Sequence, residues 1–146
     1  MDLLTVYPKI FKNKKVIIFS KPGIFTDTPG VVSLSSYERM YDDFISRGID
    51  EIYCISIHPK AEQDRWAKNQ MIEKVKWISD YTCEFSHEFD MVCDVGWGPY
   101  CWRYAMIVDN GEIQNLFVEP GKDQLVGNRT KDPYGETAPE NVIKFV

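Results

Sequence analysis

Lys15-Val16-Ile17-Ile18-Phe19-Ser20 runs through Lys21 into Pro22-Gly23-Ile24-Phe25-Thr26-Asp27-Thr28-Pro29. The first stretch is apolar and rich in β-branched residues, with no polar alternation. That pattern predicts a central strand buried on both faces. The second stretch ends on Thr28-Pro29. Threonine is a favoured N-cap and proline a favoured first helical residue, so a helix is expected to start there.

Working outward, Tyr37, Met40, Tyr41, Phe44 and Ile45 fall at helical spacing. They mark one apolar face of a helix expected to end at Gly48. Ile52 to Ile57 reads as a second buried strand, closed by His58-Pro59. Lys60 to about Val75 reads as an amphipathic helix with Trp66, Ala67 and Met71 on one side. Ser86 to Val92 gives no clear signal. Tyr104 to Val108 and Glu112 to Val118 flank Asp109-Asn110-Gly111, a strong hairpin signature. Pro139 to Phe145 reads as a last helix, with Val142, Ile143 and Phe145 turned to the core. The order is β, α, β, α, a β-hairpin, then α. It predicts an α/β thioredoxin-like fold, with a mixed central sheet flanked by helices. The long irregular stretch from Glu119 to Thr137 is either a solvated connection or a functional loop.

The 146 residues suit one domain spanning 1–146. Hydrophobic residues make up 44% of the chain and aromatics 14%, enough for a packed core. Net charge is -5 and no Lys/Arg stripe stands out, which argues against nucleic acid as a partner. No apolar run approaches the roughly 20 residues of a membrane helix, so no membrane association is expected. The first residues do not resemble a secretory leader, and a cytoplasmic location is the expectation. Cys54, Cys83, Cys93 and Cys101 form no C-x-x-C pair, and the histidines are His58 and His87 alone. Those spacings argue against a zinc site, and no cofactor is expected. The cysteines are expected to be mostly buried, as small hydrophobes. None is expected at a helix N-terminus beside a base. Asn128-Arg129-Thr130 fits a glycosylation sequon, to which no weight is given without a leader.

Pro22-Gly23-Ile24-Phe25-Thr26-Asp27-Thr28-Pro29 resembles the peroxiredoxin active-site loop, Pro-x-x-x-Thr-x-x-Cys. Further blocks carry the same resemblance. They include Phe11 to Val16, Leu34 and Tyr37, Tyr53-Cys54-Ile55-Ser56-Ile57, Trp66, and Ser79-Asp80. Trp102-Arg103-Tyr104-Ala105-Met106, Asp109-Asn110-Gly111 and Glu119-Pro120-Gly121 complete it. The chain is similar to the type II, glutaredoxin- or glutathione-linked branch over about residues 9 to 146. That branch's N-terminal segment is mostly missing here, so an edge hairpin is expected to be absent. The resemblance implies that a thiolate in a helix's first turn attacks peroxide oxygen and becomes a sulfenic acid. It assigns Pro22 to shielding the site, Thr26 to holding the peroxide and Arg103 to stabilising the developing charge.

The chain departs from that pattern where the chemistry is carried. Pro29 stands in place of the nucleophilic cysteine, Asp27 where the family has proline, and Ser33 where the branch commonly has histidine. Proline offers neither a nucleophilic side chain nor a backbone N–H. The leading expectation is a homologue that has lost peroxidase activity and keeps the pocket frame of Pro22, Thr26, Pro29 and Arg103. That frame would bind a small anion or a protein. One alternative is a thiol oxidoreductase working through Cys83, Cys93 or Cys101. Another is a structural or regulatory partner of an active peroxiredoxin, as a homodimer or heterodimer. Arg103 is expected to pair with Asp27, Glu119 or a bound anion. Read as ordinary structure, Pro22 and Thr26 are turn residues, and Trp97, Tyr100 and Trp102 are core or dimer contacts.

Overall fold

The computed structural model describes residues 2–22, 28–94, 99–120 and 134–146, with only the backbone described for 28–32 and Asp94. Two short helices, α1 (Leu3–Val6) and α2 (Pro8–Phe11), precede β1 (Lys15–Ser20). There follow α3 (Thr28–Arg39), α4 (Tyr41–Ser46), β2 (Glu51–Ser56), α5 (Lys60–Asn69), β3 (Lys76–Ser79) and α6 (Glu84–Glu88). Next come β4 (Val92–Asp94), β5 (Pro99–Cys101), β6 (Tyr104–Asp109) and β7 (Glu112–Val118). Helix α7 (Pro139–Val142) and a 3-10 turn (Ile143–Phe145) close the described chain.

The central sheet has the order β3-β2-β1-β6-β7, and β4-β5 form a separate ribbon. Strands β1, β2 and β3 run parallel, whereas β6 is antiparallel to both β1 and β7. This is the mixed, thioredoxin-like sheet expected from the order of elements. The uninterrupted apolar run of β1 has its predicted consequence. Val16 and Ile18 face one core with Phe11, Phe85, Trp102 and Tyr104. Ile17 and Phe19 face the other with Leu34, Tyr37, Phe44 and Val142. The hairpin is also as predicted, with Asn110 and Gly111 both at positive φ, 48° and 82°.

Several expectations need correction. The helix after His58-Pro59 stops at Asn69 rather than near Val75. Met71 takes a left-handed φ of 54°, and the Ile72 N–H bonds back to the Ala67 carbonyl at 2.8 Å. That is a Schellman closure without its usual glycine. The Glu38 carboxylate then accepts the N–H groups of Glu73, Lys74 and Val75, turning the chain into β3. Met71 is therefore 80% exposed, not on the apolar face. The helix expected to reach Gly48 breaks at Met40 into α3 and α4. Hydrogen bonding continues across the break from the Phe44 N–H to the Met40 carbonyl, so Tyr37 and Phe44 stay buried. Ile45 lies at the flank of that stripe and is exposed, and Phe145 covers Phe117 edge-on while half-exposed itself. Helix α3 starts one residue earlier than expected, so Thr28 is its first residue and Pro29 its second. Proline is still in the first turn, where a missing N–H breaks no helical bond.

Candidate functional site

Strand β1 ends against the start of β6, and side chains tie the two together. Ser20 Oγ donates to the Trp102 carbonyl at 2.6 Å and accepts from the Tyr104 N–H at 2.8 Å. Lys21 continues the parallel pairing with β2, its N–H bonded to the Ile55 carbonyl at 2.8 Å. Pro22, next in the chain, is buried. Arg103, on the β6 side, is 1% exposed, and its guanidinium lies 5.7 Å from the Tyr134 ring. Pro22 thus lies just past the carboxyl end of β1, and Arg103 immediately precedes β6, whose Ala105 pairs with Phe19 near that end. Thr26 and Asp27 lie outside the described residues, as do Trp97 and the sequon 128–130. Pro29 falls in the first turn of α3.

Around Arg103 the backbone is fixed by buried polar bonds. The Trp102 indole donates to the Glu119 carbonyl at 2.8 Å. The Glu119 carboxylate accepts from the N–H groups of Gly135, Glu136 and Thr137 and from the Thr137 hydroxyl. The Tyr37 hydroxyl donates to the Thr137 carbonyl at 2.6 Å, pinning the same segment to α3. The two ends of the Glu119 to Thr137 connection are therefore clamped beside the site. Tyr100 and Trp102 are core residues, 2% and 1% exposed.

Lys21 is the residue that sequence reasoning missed. It is only 6% exposed, with Nζ 3.7 Å from the centre of the Trp66 ring. His58 meets Trp66 edge-on at 4.5 Å, and the buried Nδ1 of that half-buried imidazole finds no hydrogen-bond partner among the described residues. Desolvation holds the His58 pKa below its usual value. Glu62 opposes that shift, and Lys21 adds to it. The signal for Lys21 was available: a cation closes an otherwise apolar run, at a position that alternates with Ile17 and Phe19.

Cys54, Cys83 and Cys101 all have raised thiol pKa values. Burial raises Cys54 strongly, against the opposing fields of Lys21 and Arg103. Burial likewise pushes Cys101 up to about 12, although the Ser86 hydroxyl lies 3.2 Å from its Sγ. Cys83 corrects an expectation, because it does occupy an N-cap, that of α6, with His87 one turn on. Together with Thr82, Glu84 and Glu88 these residues line a cavity on the face opposite Lys21 and Arg103. Desolvation and the Asp80 charge nonetheless raise the Cys83 pKa. Cys93 is half-buried on β4. Among the described residues no cluster of histidine, cysteine and carboxylate side chains could hold a metal ion, and no helix is long and apolar enough to cross a membrane.

Comparison with known proteins agrees with this architecture. The Redoxin family matches residues 2–132. A peroxiredoxin of Rhizobium etli is 36% identical over 137 residues, covering 92% of this chain and 75% of the relative. The crystal structure of the Plasmodium falciparum antioxidant protein, a 1-Cys peroxiredoxin, superposes with a TM-score of 0.84 at 34% identity, covering 94% of this chain and 78% of that one. Reduced Prx3 of Vibrio vulnificus, solved with hydrogen peroxide, gives 0.81 at 27% identity, over 94% of this chain and 82% of that one. With the sheet order, the clamped loop and the buried arginine already in place, the chain belongs to the Redoxin family as a peroxiredoxin homologue.

Proposed function

We propose that this peroxiredoxin homologue has lost thiol peroxidase activity and uses the end of β1 as a binding pocket for a small anion. The observation that carries this reading is Pro29, standing where the family motif places its nucleophile. Peroxide reduction needs a sulfur lone pair at that point, and proline offers none. The raised pKa values of Cys54, Cys83 and Cys101 support the reading, since each thiol is neutral near pH 7. In this proposal residues 1–146 act as one cytoplasmic domain, and Pro22, Thr26, Pro29 and Arg103 frame the pocket. The chain pairs with a second copy or with an active relative.

A second reading is favoured by one feature, the cavity that brings Cys83 beside His87. There the chain would be a thiol oxidoreductase using Cys83, with Cys101 nearby in the fold.

Hydrogen peroxide consumption with glutaredoxin, glutathione or thioredoxin as reductant separates the two. The expected result is no turnover above background. Pro29→Cys alone gives weak activity, because Asp27 still opposes a thiolate, and Asp27→Pro with Pro29→Cys gives more. Fast, saturable turnover lost in Cys83→Ser or Cys101→Ser would establish the second reading instead.

A further inference from the structure

The turn Asp109-Asn110-Gly111 joins β6 to β7, and no asparagine of the chain except Asn110 is followed by glycine. Asn110 is exposed at the tip of the hairpin. Glycine has no side chain, so its backbone nitrogen can approach the preceding carboxamide without obstruction. Bond formation between that nitrogen and the Asn110 Cγ expels ammonia and leaves a succinimide. Water then opens the ring at either carbonyl, giving aspartate or isoaspartate. The step needs no reagent other than water.

The fold restrains this approach. Asn110 Oδ1 accepts the Asn13 N–H at 2.8 Å, and the Asn110 N–H donates to the Lys14 carbonyl at 2.9 Å. Asn13 is itself left-handed, at φ 57°. Leu4 covers Gly111 so closely that a Cβ there would lie 2.6 Å from its Cγ. Ring closure requires the Asn110 backbone and carboxamide to rotate out of this arrangement. The restraints just named all come from residues 4–14, ahead of β1.

We propose that Asn110 is a modification site of this chain, converting to aspartate and isoaspartate through attack by the Gly111 nitrogen, and that docking of the N-terminal helix α1 on the hairpin sets the rate. Reaction then proceeds from locally opened molecules, so the rate scales with the opened fraction. Two hydrogen bonds and an apolar contact suppress it about tenfold or more. The products differ in effect. Aspartate keeps an acceptor for the Asn13 N–H. Isoaspartate lengthens the main chain by one methylene, which displaces Gly111 from beneath Leu4. Conversion thus loosens the segment that restrained it.

The test incubates the full chain at neutral pH, folded and in denaturing urea, and follows each asparagine by peptide mass spectrometry. Asn110 is expected to convert first in urea and about tenfold or more slowly in the folded chain. Leu4→Ala should speed conversion of the folded chain about threefold or more, and Val6→Ala, on the same helix but half-exposed, should not. Equal rates in the folded and denatured chain overturn the proposal. So does a Leu4→Ala rate equal to that of the parent. Should Leu4→Ala fail to fold, the urea dependence of the parent decides. A rate that climbs well below the unfolding midpoint supports gating by local release of α1. A rate that stays flat until the whole chain unfolds overturns it.

Discussion

Cys101 and His58 show how desolvation, more than any single neighbour, sets the chemistry of individual residues in this chain. The Cys101 thiol, pushed up to about 12, is uncharged throughout the neutral range. Only the thiolate is alkylated at a useful rate. In the native protein at pH 7.5, iodoacetamide is therefore expected to leave Cys54 and Cys101 unlabelled until the chain unfolds, as read by peptide mass spectrometry. Labelling of Cys101 at the rate of an exposed thiol would contradict its burial. His58 carries a stability prediction whose sign follows from its lowered pKa. Between the folded and unfolded pKa values the unfolded chain binds more protons. The contribution of neutral His58 is then complete above about 6.5 and lost as pH falls through the folded value. His58→Phe keeps a ring against Trp66 and removes the titration. Urea midpoints should fall below about pH 6.5 in the parent and fall less steeply in the variant. Equal slopes would mean that other groups govern the acid limb.

At the scale of elements, what the sequence disclosed depended on whether the deciding interaction was local. Strand β1 and the Asn110-Gly111 hairpin were legible because apolar continuity and turn chemistry lie within a few residues. Strand β3 was not. Its Lys76-Trp77-Ile78-Ser79 looks like more of the preceding helix, and what ends that helix is the left-handed Met71 together with a carboxylate from Glu38, far back in the chain. Lys21 escaped for a related reason: the ring it meets, Trp66, lies far along the chain. The site loop was legible only through its resemblance to a family, since Thr26 or Pro29 alone reads as a turn residue. Two glycines test the local logic. Gly48, at φ 99°, closes α4 through the Ile49 N–H to the Phe44 carbonyl, and a Cβ there would meet nothing within 4 Å. Gly48→Ala should cost about 1 kcal/mol, all of it backbone strain. Gly111, at φ 82°, is different, because a Cβ would lie 2.6 Å from Leu4 Cγ. Gly111→Ala should cost more than Gly48→Ala and speed amide exchange in α1, which Gly48→Ala should not.

Over the whole molecule, the central sheet separates two cores that share its strands and little else. On one face Phe85 stacks against Phe11 at 6.5 Å and meets Tyr7 edge-on. On the other, Phe44 stacks on Tyr37, which itself stacks on Phe19 at 4.0 Å, beneath the end of β1 that carries Lys21. Phe44 and Phe85 are both fully buried, yet they belong to different clusters. Trimming either removes contacts on one side only, and close-packed strands relax little in response. Phe44→Leu and Phe85→Leu should each destabilise by about 1–2 kcal/mol, in the usual range for buried substitutions. Combined, they should add with a coupling below about 0.5 kcal/mol, as expected of sites with no shared partner. The stacked pair Phe11→Leu and Phe85→Leu is the control, and its coupling should be the larger of the two. Chemical denaturation of the three single variants, the two double variants and the parent decides the matter. Coupling between Phe44 and Phe85 that equals or exceeds the control would mean that the sheet transmits packing strain from face to face. In that case a change near α6 would be felt at Lys21 and Arg103, and the two faces could not be altered independently.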